Sequence, residues 1–265
     1  MRAKKLGIIL IALAFLLIIV FSCVSLFVVK RVDVSFSVSE NTNGEEVYQK
    51  LEDCLGKNLL FFDTDKVYEL LADESYIEIL SVKKAFPNVL QVELKERREI
   101  FYVRSGEKVF ATTDEGFVIR ELSESQINAG VPLDRILLEF KDVELLDLFE
   151  GKNFSAENKE LVQTIFDMVR NVNFADCVKS INIKKFPGVF GADVYDVYFS
   201  TYSGVELVVE DLLISGVQKA VNAFYVYDTI LTDYQKADGV IQSFAMADGN
   251  LRVTYNQQIV WTSGN

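Results

Sequence analysis

The side chains that could do covalent chemistry are few, and their spacing argues against it. The chain contains no histidine, which removes the Ser-His and Cys-His nucleophile–base pairs and the commonest transition-metal ligand. Its three cysteines, Cys23, Cys54 and Cys177, are far apart and form no Cys-x-x-Cys pair, so no zinc or other metal site is expected. Nor does any motif call for a cofactor. Cys54 and Cys177 each lie among apolar residues, which fits buried thiols or, outside a cell, a disulfide between them. Asp114-Glu115-Gly116 places acids together, but Asp and Gly are sufficient as a hairpin turn. A hydrolase would need Ser-Lys, paired carboxylates or a metal, and no motif gathers them. The residues therefore point to a non-enzymatic binding protein. One candidate contact patch is the basic set Lys83, Lys84, Lys95 and Arg97, which would meet a partner or anionic headgroups. The same residues also suit a solvated sheet edge, where lysine discourages stray pairing.

Charge narrows the partners. The net charge is −12 even though residues 1–31 carry five basic residues and no acid. The remainder is thus more acidic still, and a surface of that sign repels phosphate backbones, so no nucleic-acid partner is expected. Residues 6–29 form an uncharged run, and roughly 20 apolar residues suffice to cross a bilayer. Arg2, Lys4 and Lys5 precede it, which places residues 1–5 in the cytoplasm as a short tail and the bulk outside, a single-pass type II arrangement. A cleaved signal peptide would have a shorter apolar region, and Phe21 suits poorly a lipoprotein signal before Cys23. An uncleaved anchor holding the lipid bilayer is the expected reading.

The elements after the anchor alternate strand and helix. Residues 32–38 alternate apolar and polar types, as a half-buried strand does. Val47, Leu51, Cys54 and Leu55 share one helix face, with Gly56 as its C-terminal stop. Asp63 or Thr64 caps a second helix whose stripe is Val67, Leu70 and Leu71. Residues 77–84 and 89–97 are two further strands joined at Phe86-Pro87-Asn88, because proline and asparagine favour a reversal. The order β-α-α-β-β predicts two helices on one face of a three-stranded sheet. This unit, with Val82, Pro87, Asn88, Leu90, Val92, Leu94, Glu96 and Arg97 in the hairpin, resembles the POTRA domain of the FtsQ/DivIB cell-division proteins. The resemblance extends over roughly residues 31–120.

The fold expected is α+β. It comprises a single N-terminal transmembrane helix (6–29), a POTRA domain (30–98), a mixed β domain with packed helices (99–255) and a flexible tail (256–265). In the β domain, Ser155 is expected to cap a helix and residues 123–130 to be a polar loop. A second helix is expected at 215–231, with strands at 240–246 and 251–255, the whole a sheet with a helix or two on one face. Strands so late in a chain often lie at a sheet edge, where backbone groups can accept a partner strand. The family resemblance implies that the last strands bind FtsB/DivIC-like and FtsL-like division proteins near the septal wall synthase. By that resemblance the partner-binding residues are Val240, Gln242, Phe244 and Met246. Phe244 and Met246 would be exposed anchors, or else buried core. The resemblance implies a scaffold of the cell membrane at the division septum. A membrane-anchored extracytoplasmic hydrolase or a POTRA-bearing chaperone or secretion component are the alternatives, the latter disfavoured because no tandem repeat is present.

Overall fold

The computed structural model describes residues 13–16, 18, 24–36, 41–130, 132, 135–172, 176–188 and 191–263. Most of the apolar run 6–29, including Cys23, lies outside the described residues. Among the described residues no helix is long and apolar enough to cross a membrane. Two compact units follow from the contacts, Met1–Arg97 and Arg98–Asn265.

In the first unit, β1 (Arg31–Phe36), β2 (Ile77–Ala85) and β3 (Val89–Glu96) form a sheet of order β1-β3-β2. β3 is central, parallel to β1 and antiparallel to β2. The alternation expected of it is observed: Leu90, Val92 and Leu94 are buried, while Gln91, Glu93 and Lys95 are exposed. Burial of each such side chain is worth about 1.5–3 kcal/mol. They pack with Val47 and Leu51 of the helix Gly44–Leu51, with Cys54, and with Val67 and Leu71 from the second helical segment. Asn43 caps the first helix through Oδ1, which accepts from the Glu45 amide at 3.1 Å. Asp63 supplies the side-chain acceptor at the start of the second, Asp65–Leu70.

The second unit is built on a ten-stranded open sheet. In chain order its strands are β4 (Phe101–Ser105), β5 (Lys108–Thr112), β6 (Val118–Glu121), β7 (Ile136–Lys141), β10 (Val178–Pro187), β11 (Asp193–Thr201), β12 (Val205–Val209), β13 (Gly239–Ala245), β14 (Leu251–Tyr255) and β15 (Gln258–Thr262). The short pair β8 (Leu145–Leu146) and β9 (Ser155–Ala156) lies apart from it. The spatial order is β15-β14-β13-β12-β11-β10-β7-β4-β5-β6. Helices Lys159–Asn171 and Gly216–Tyr225 cover one face with Leu161, Ile165, Met168, Ala220 and Phe224. A short helix, Glu124–Ala129, joins a separate cluster of Tyr102, Val109, Ala111 and Leu122 through Ile127. Tyr102 lies between Phe101 and Val103 of the main core along one strand, so this helix covers the opposite face.

Four sequence expectations need correction here. Residues 123–130 are not merely loop: Ser123 and Gln126 make a capping box that starts a helix. The cap of the long helix is Asn158, whose Oδ1 accepts from the Glu160 amide at 3.0 Å, because Ser155 is held in the β8–β9 pair. Residues 256–265 are not a loose tail, since Gln258–Thr262 pairs with β14. Finally, helices occupy both faces of the large sheet rather than one.

Gly204 sits at the entry to β12 with φ +113°, and a Cβ there would lie 2.4 Å from the backbone oxygen of Ala237. That close approach sets β12 beside the entry to β13. Gly204→Ala adds left-handed strain and a backbone clash that no rotamer relieves, costing about 1–3 kcal/mol. A lowered urea midpoint with unchanged m-value is the expected result.

Candidate partner-binding surface

The expected binding strand, β13, is an interior strand. It pairs in parallel with β12 and antiparallel with β14. The Val240 amide donates to Asn256 Oδ1 at 2.9 Å, and the Val240 carbonyl accepts from the Asn256 amide at 2.9 Å. The Ser243 carbonyl accepts from the Glu210 amide at 3.1 Å. Backbone groups so engaged have nothing left for a partner strand, which corrects the expectation that residues 239–246 form an edge. β13 is interior because β14 pairs along its outer side, and the strand beyond Tyr255 then covers β14 in turn.

The side chains of β13 divide by period 2. Ile241 and Ser243 are buried toward the helices, while Val240, Gln242 and Phe244 lie on the opposite face. Val240 is exposed and Gln242, Phe244 and Met246 are half-buried, so Phe244 and Met246 are neither free anchors nor full core. Phe244 stands opposite Arg252, and Gln242 opposite Thr254, on β14.

Next to this face lies a polar cluster that the sequence reading did not identify. Lys219 is only 1% exposed, and its Nζ donates to the carbonyls of Glu210 at 2.5 Å and Asp211 at 2.9 Å. Gln242 Nε2 donates to Glu210 Oε1 at 3.3 Å, and Asp196 Oδ1 accepts from the Asp211 amide. Burial lowers the Lys219 pKa, against the pull of the neighbouring acids. Burial also raises that of Glu210, reinforced by the Asp196 charge and opposed by Lys219. The cluster ties the end of β12 to the helix Gly216–Tyr225 and supports the β13 face from behind. A lysine within an otherwise amphipathic helix gives no sequence signal of such a role.

The sheet's two ends differ. At one end, β6 is covered at Val118 by residues 150–154: the Val118 amide donates to the Lys152 carbonyl at 2.8 Å and the Gly151 amide to the Val118 carbonyl at 2.9 Å. At the other end, β15 pairs with β14 alone among the described residues. It is reached through a two-residue turn in which Asn256 and Gln257 have φ of 47° and 69°, positive at both central positions as a type I′ hairpin requires. Val260 is an extra residue, since Val253 faces Trp261 and Thr254 faces Ile259. Bulges of this kind bend edge strands and re-aim their side chains. Gln258-Ile259-Val260-Trp261-Thr262 contains no charge and no proline, and Ile259 is 57% exposed. Natural edges are usually blunted by lysine or proline, so an uncharged β-branched edge favours strand pairing. The run of β-branched and aromatic residues was the available signal. It was missed because Asn-Gln is a weaker turn pair than Asn-Gly.

The basic residues of the first unit do not form one patch. Lys83 faces Gln91 and Lys95 faces Glu78, on the sheet's open face. Lys95 lies 3.7 Å from Glu78. Lys84 stands opposite buried Leu90 and so points to the other face. Arg97 is structural: its guanidinium donates to the carbonyls of Ser75 and Ile77. Cys54 and Cys177 carry thiols rather than a disulfide. Burial raises both, Cys177 to about 11, which makes them poor nucleophiles. Among the described residues no group of acids or cysteines is placed to hold a metal ion.

The built feature of the second unit is thus a backbone edge, and the first unit is a small α/β unit of a recognisable kind. Residues 29–97 match the family model described as POTRA domain, FtsQ-type, so the first unit is a POTRA domain of that type. Over 64 residues the chain is 28% identical to the cell division protein DivIB of Clostridium acetobutylicum, which is 24% of this chain and 26% of that protein. The chain therefore spans about a quarter of that relative's length in the match. A solved structure of the major extracytoplasmic domain of the trans isomer of the cell division protein DivIB from Geobacillus stearothermophilus overlaps 49% of this chain and 92% of that one. It does so at 13% identity with a TM-score of 0.30, too low to argue from. The kinship with the FtsQ/DivIB family read from the hairpin is supported by the family model and the DivIB relative.

Glu210 offers a pH test of the polar cluster. Its folded pKa is raised, so the folded chain holds its proton more tightly than the unfolded chain. Its contribution favours folding at pH below the ordinary glutamate range and declines as pH rises to the raised folded value. Glu210→Gln should flatten that part of the stability–pH profile in urea titrations and raise stability at neutral pH.

Proposed function

We propose that the protein is a non-enzymatic scaffold of cell division, anchored in the cell membrane through residues 6–29 with its POTRA and β domains outside. It binds FtsB/DivIC-like and FtsL-like membrane proteins and so helps to coordinate septal wall synthesis. Kinship with DivIB supports the division role, and the positive residues before the apolar run support the orientation. The observation that carries the binding mode is the uncharged outer edge of β15, on a sheet whose other end is covered. An extended partner segment adds there as an eleventh strand, with main-chain hydrogen bonds for affinity and alternate side chains for specificity.

Ile259 provides a selective probe. Hydrogen-bonded and non-hydrogen-bonded pairs alternate along an antiparallel ladder. Tyr255–Gln258 closes the turn, so the next pair, Thr254–Ile259, directs the Ile259 backbone outward. Ile259→Pro removes an outward donor while sparing β14. Leaving a partner carbonyl unsatisfied costs about 1–3 kcal/mol, which is roughly a 5- to 150-fold loss of affinity. Pull-down and titration with partner ectodomains should show that loss for Ile259→Pro and near-native binding for Phe244→Ala. Full binding by Ile259→Pro would refute the edge as the docking site.

A further inference from the structure

The last residues of the apolar run are part of the first unit's fold. The Asn58 side chain donates to the Val24 carbonyl at 2.9 Å, and the Leu59 amide to the Phe27 carbonyl at 2.6 Å. Val29 donates to Lys57 and accepts from Gly56, at 2.8 and 2.9 Å, and is itself 1% exposed in the core. The Phe27 ring meets that of Phe86 edge-on with centroids 5.7 Å apart. No linker therefore separates the apolar run from the POTRA domain. The point where the chain leaves the run is gripped by residues 55–59 and by the β2–β3 turn.

That gripped end carries four exposed apolar side chains close together, whereas Tyr48, Tyr68 and Leu80 are exposed elsewhere in the unit. Phe61 is 81% exposed, Phe86 57%, Leu60 44% and Leu55 38%. Phe86 touches Phe27, Leu60 donates its amide to Asn58 Oδ1, and Leu55 precedes Gly56, so all four lie within a few residues of the grip. Single exposed apolar residues are ordinary, but a cluster around one point marks a contact surface. Lys57 extends from the same loop, and a lysine stem can lie along apolar surface with its ammonium at headgroup level. Asp53 and Asp63 flank the loops, so attraction to anionic lipid is not what holds this end.

We infer that the loop around Leu55–Phe61 and the turn at Phe86 form a second, interfacial membrane contact, inserting into the phospholipid bilayer beside the anchor. The contact rests on the anchor reading above. Residues 6–23, eighteen in number and uncharged, are then left for the crossing, near the roughly 20 residues that a crossing takes. Apolar side chains at this position sit at the boundary of headgroups and acyl chains. The insertion fixes the POTRA domain's orientation to the membrane instead of leaving it on a tether.

A single tryptophan reports the contact. In the full chain, Trp261→Phe removes the native indole and Phe61→Trp places one at the loop. The protein is reconstituted into phosphatidylcholine vesicles with or without brominated acyl chains. The Phe61→Trp probe should be blue-shifted and strongly quenched by bromine, with quenching that persists in high salt. Phe86→Trp should behave likewise. A Tyr234→Trp control, at a position 90% exposed in the second unit, should be quenched far less. A chain that floats with the vesicles while neither loop probe is quenched more than the control would overturn the inference and leave the anchor standing. A chain that does not float would overturn both.

Discussion

An interior strand of an open sheet uses its backbone donors and acceptors on two neighbours, and only the two outermost strands keep any in reserve. That constraint orders the second unit. At the β6 end residues 150–152 take up the amide and carbonyl of Val118, and the Glu150 side chain the amide of Glu121. At the β15 end no such cover exists among the described residues. The parallel crossover through the helix Gly216–Tyr225 carries the chain from β12 to β13. Two hairpins then step outward to β14 and β15. Among the described residues β15 is therefore the edge, and β13 is locked between two neighbours.

The interior position of β13 is over-determined by packing on both sides. Ile241 and Val253 share the core with Ala220 and Phe224, and buried Lys219 ties the adjacent loop to the same helix. Removing a buried lysine of this kind would strand two carbonyls, whereas keeping it costs desolvation; such groups are better understood as fixing one arrangement than as adding stability. In the POTRA domain the corresponding role falls to central β3, whose alternating Leu90, Val92 and Leu94 hold both helical segments.

Legibility from sequence differed sharply between the units. The POTRA domain was readable because each element was signalled locally: period-2 alternation in β3, capping at Asp63, a stop at Gly56 and a turn at Pro87-Asn88. The large sheet was readable strand by strand but not in its order, because lateral placement depends on parallel crossovers that leave no local pattern. β15 escaped notice because its turn relies on Asn256 and Gln257 adopting positive φ without glycine. With those few residues taken as a tail, β14 is the outermost strand, and β13 is covered by β14 in either case. The partner-binding residues implied by the resemblance lie on or next to β13, an interior strand whose backbone is paired on both sides. The polar cluster at Lys219 was invisible, since a buried lysine and an exposed one look alike in sequence.

Hydrogen–deuterium exchange on the full chain in detergent, alone and with FtsB/DivIC-like and FtsL-like ectodomains, tests the central claim most directly. The account predicts slow exchange across residues 239–245 in the free protein, and fast exchange in 258–262 that becomes protected when partner is added. Fast exchange in 239–245 of the free protein, or partner protection confined to that strand with 258–262 unchanged, would contradict it.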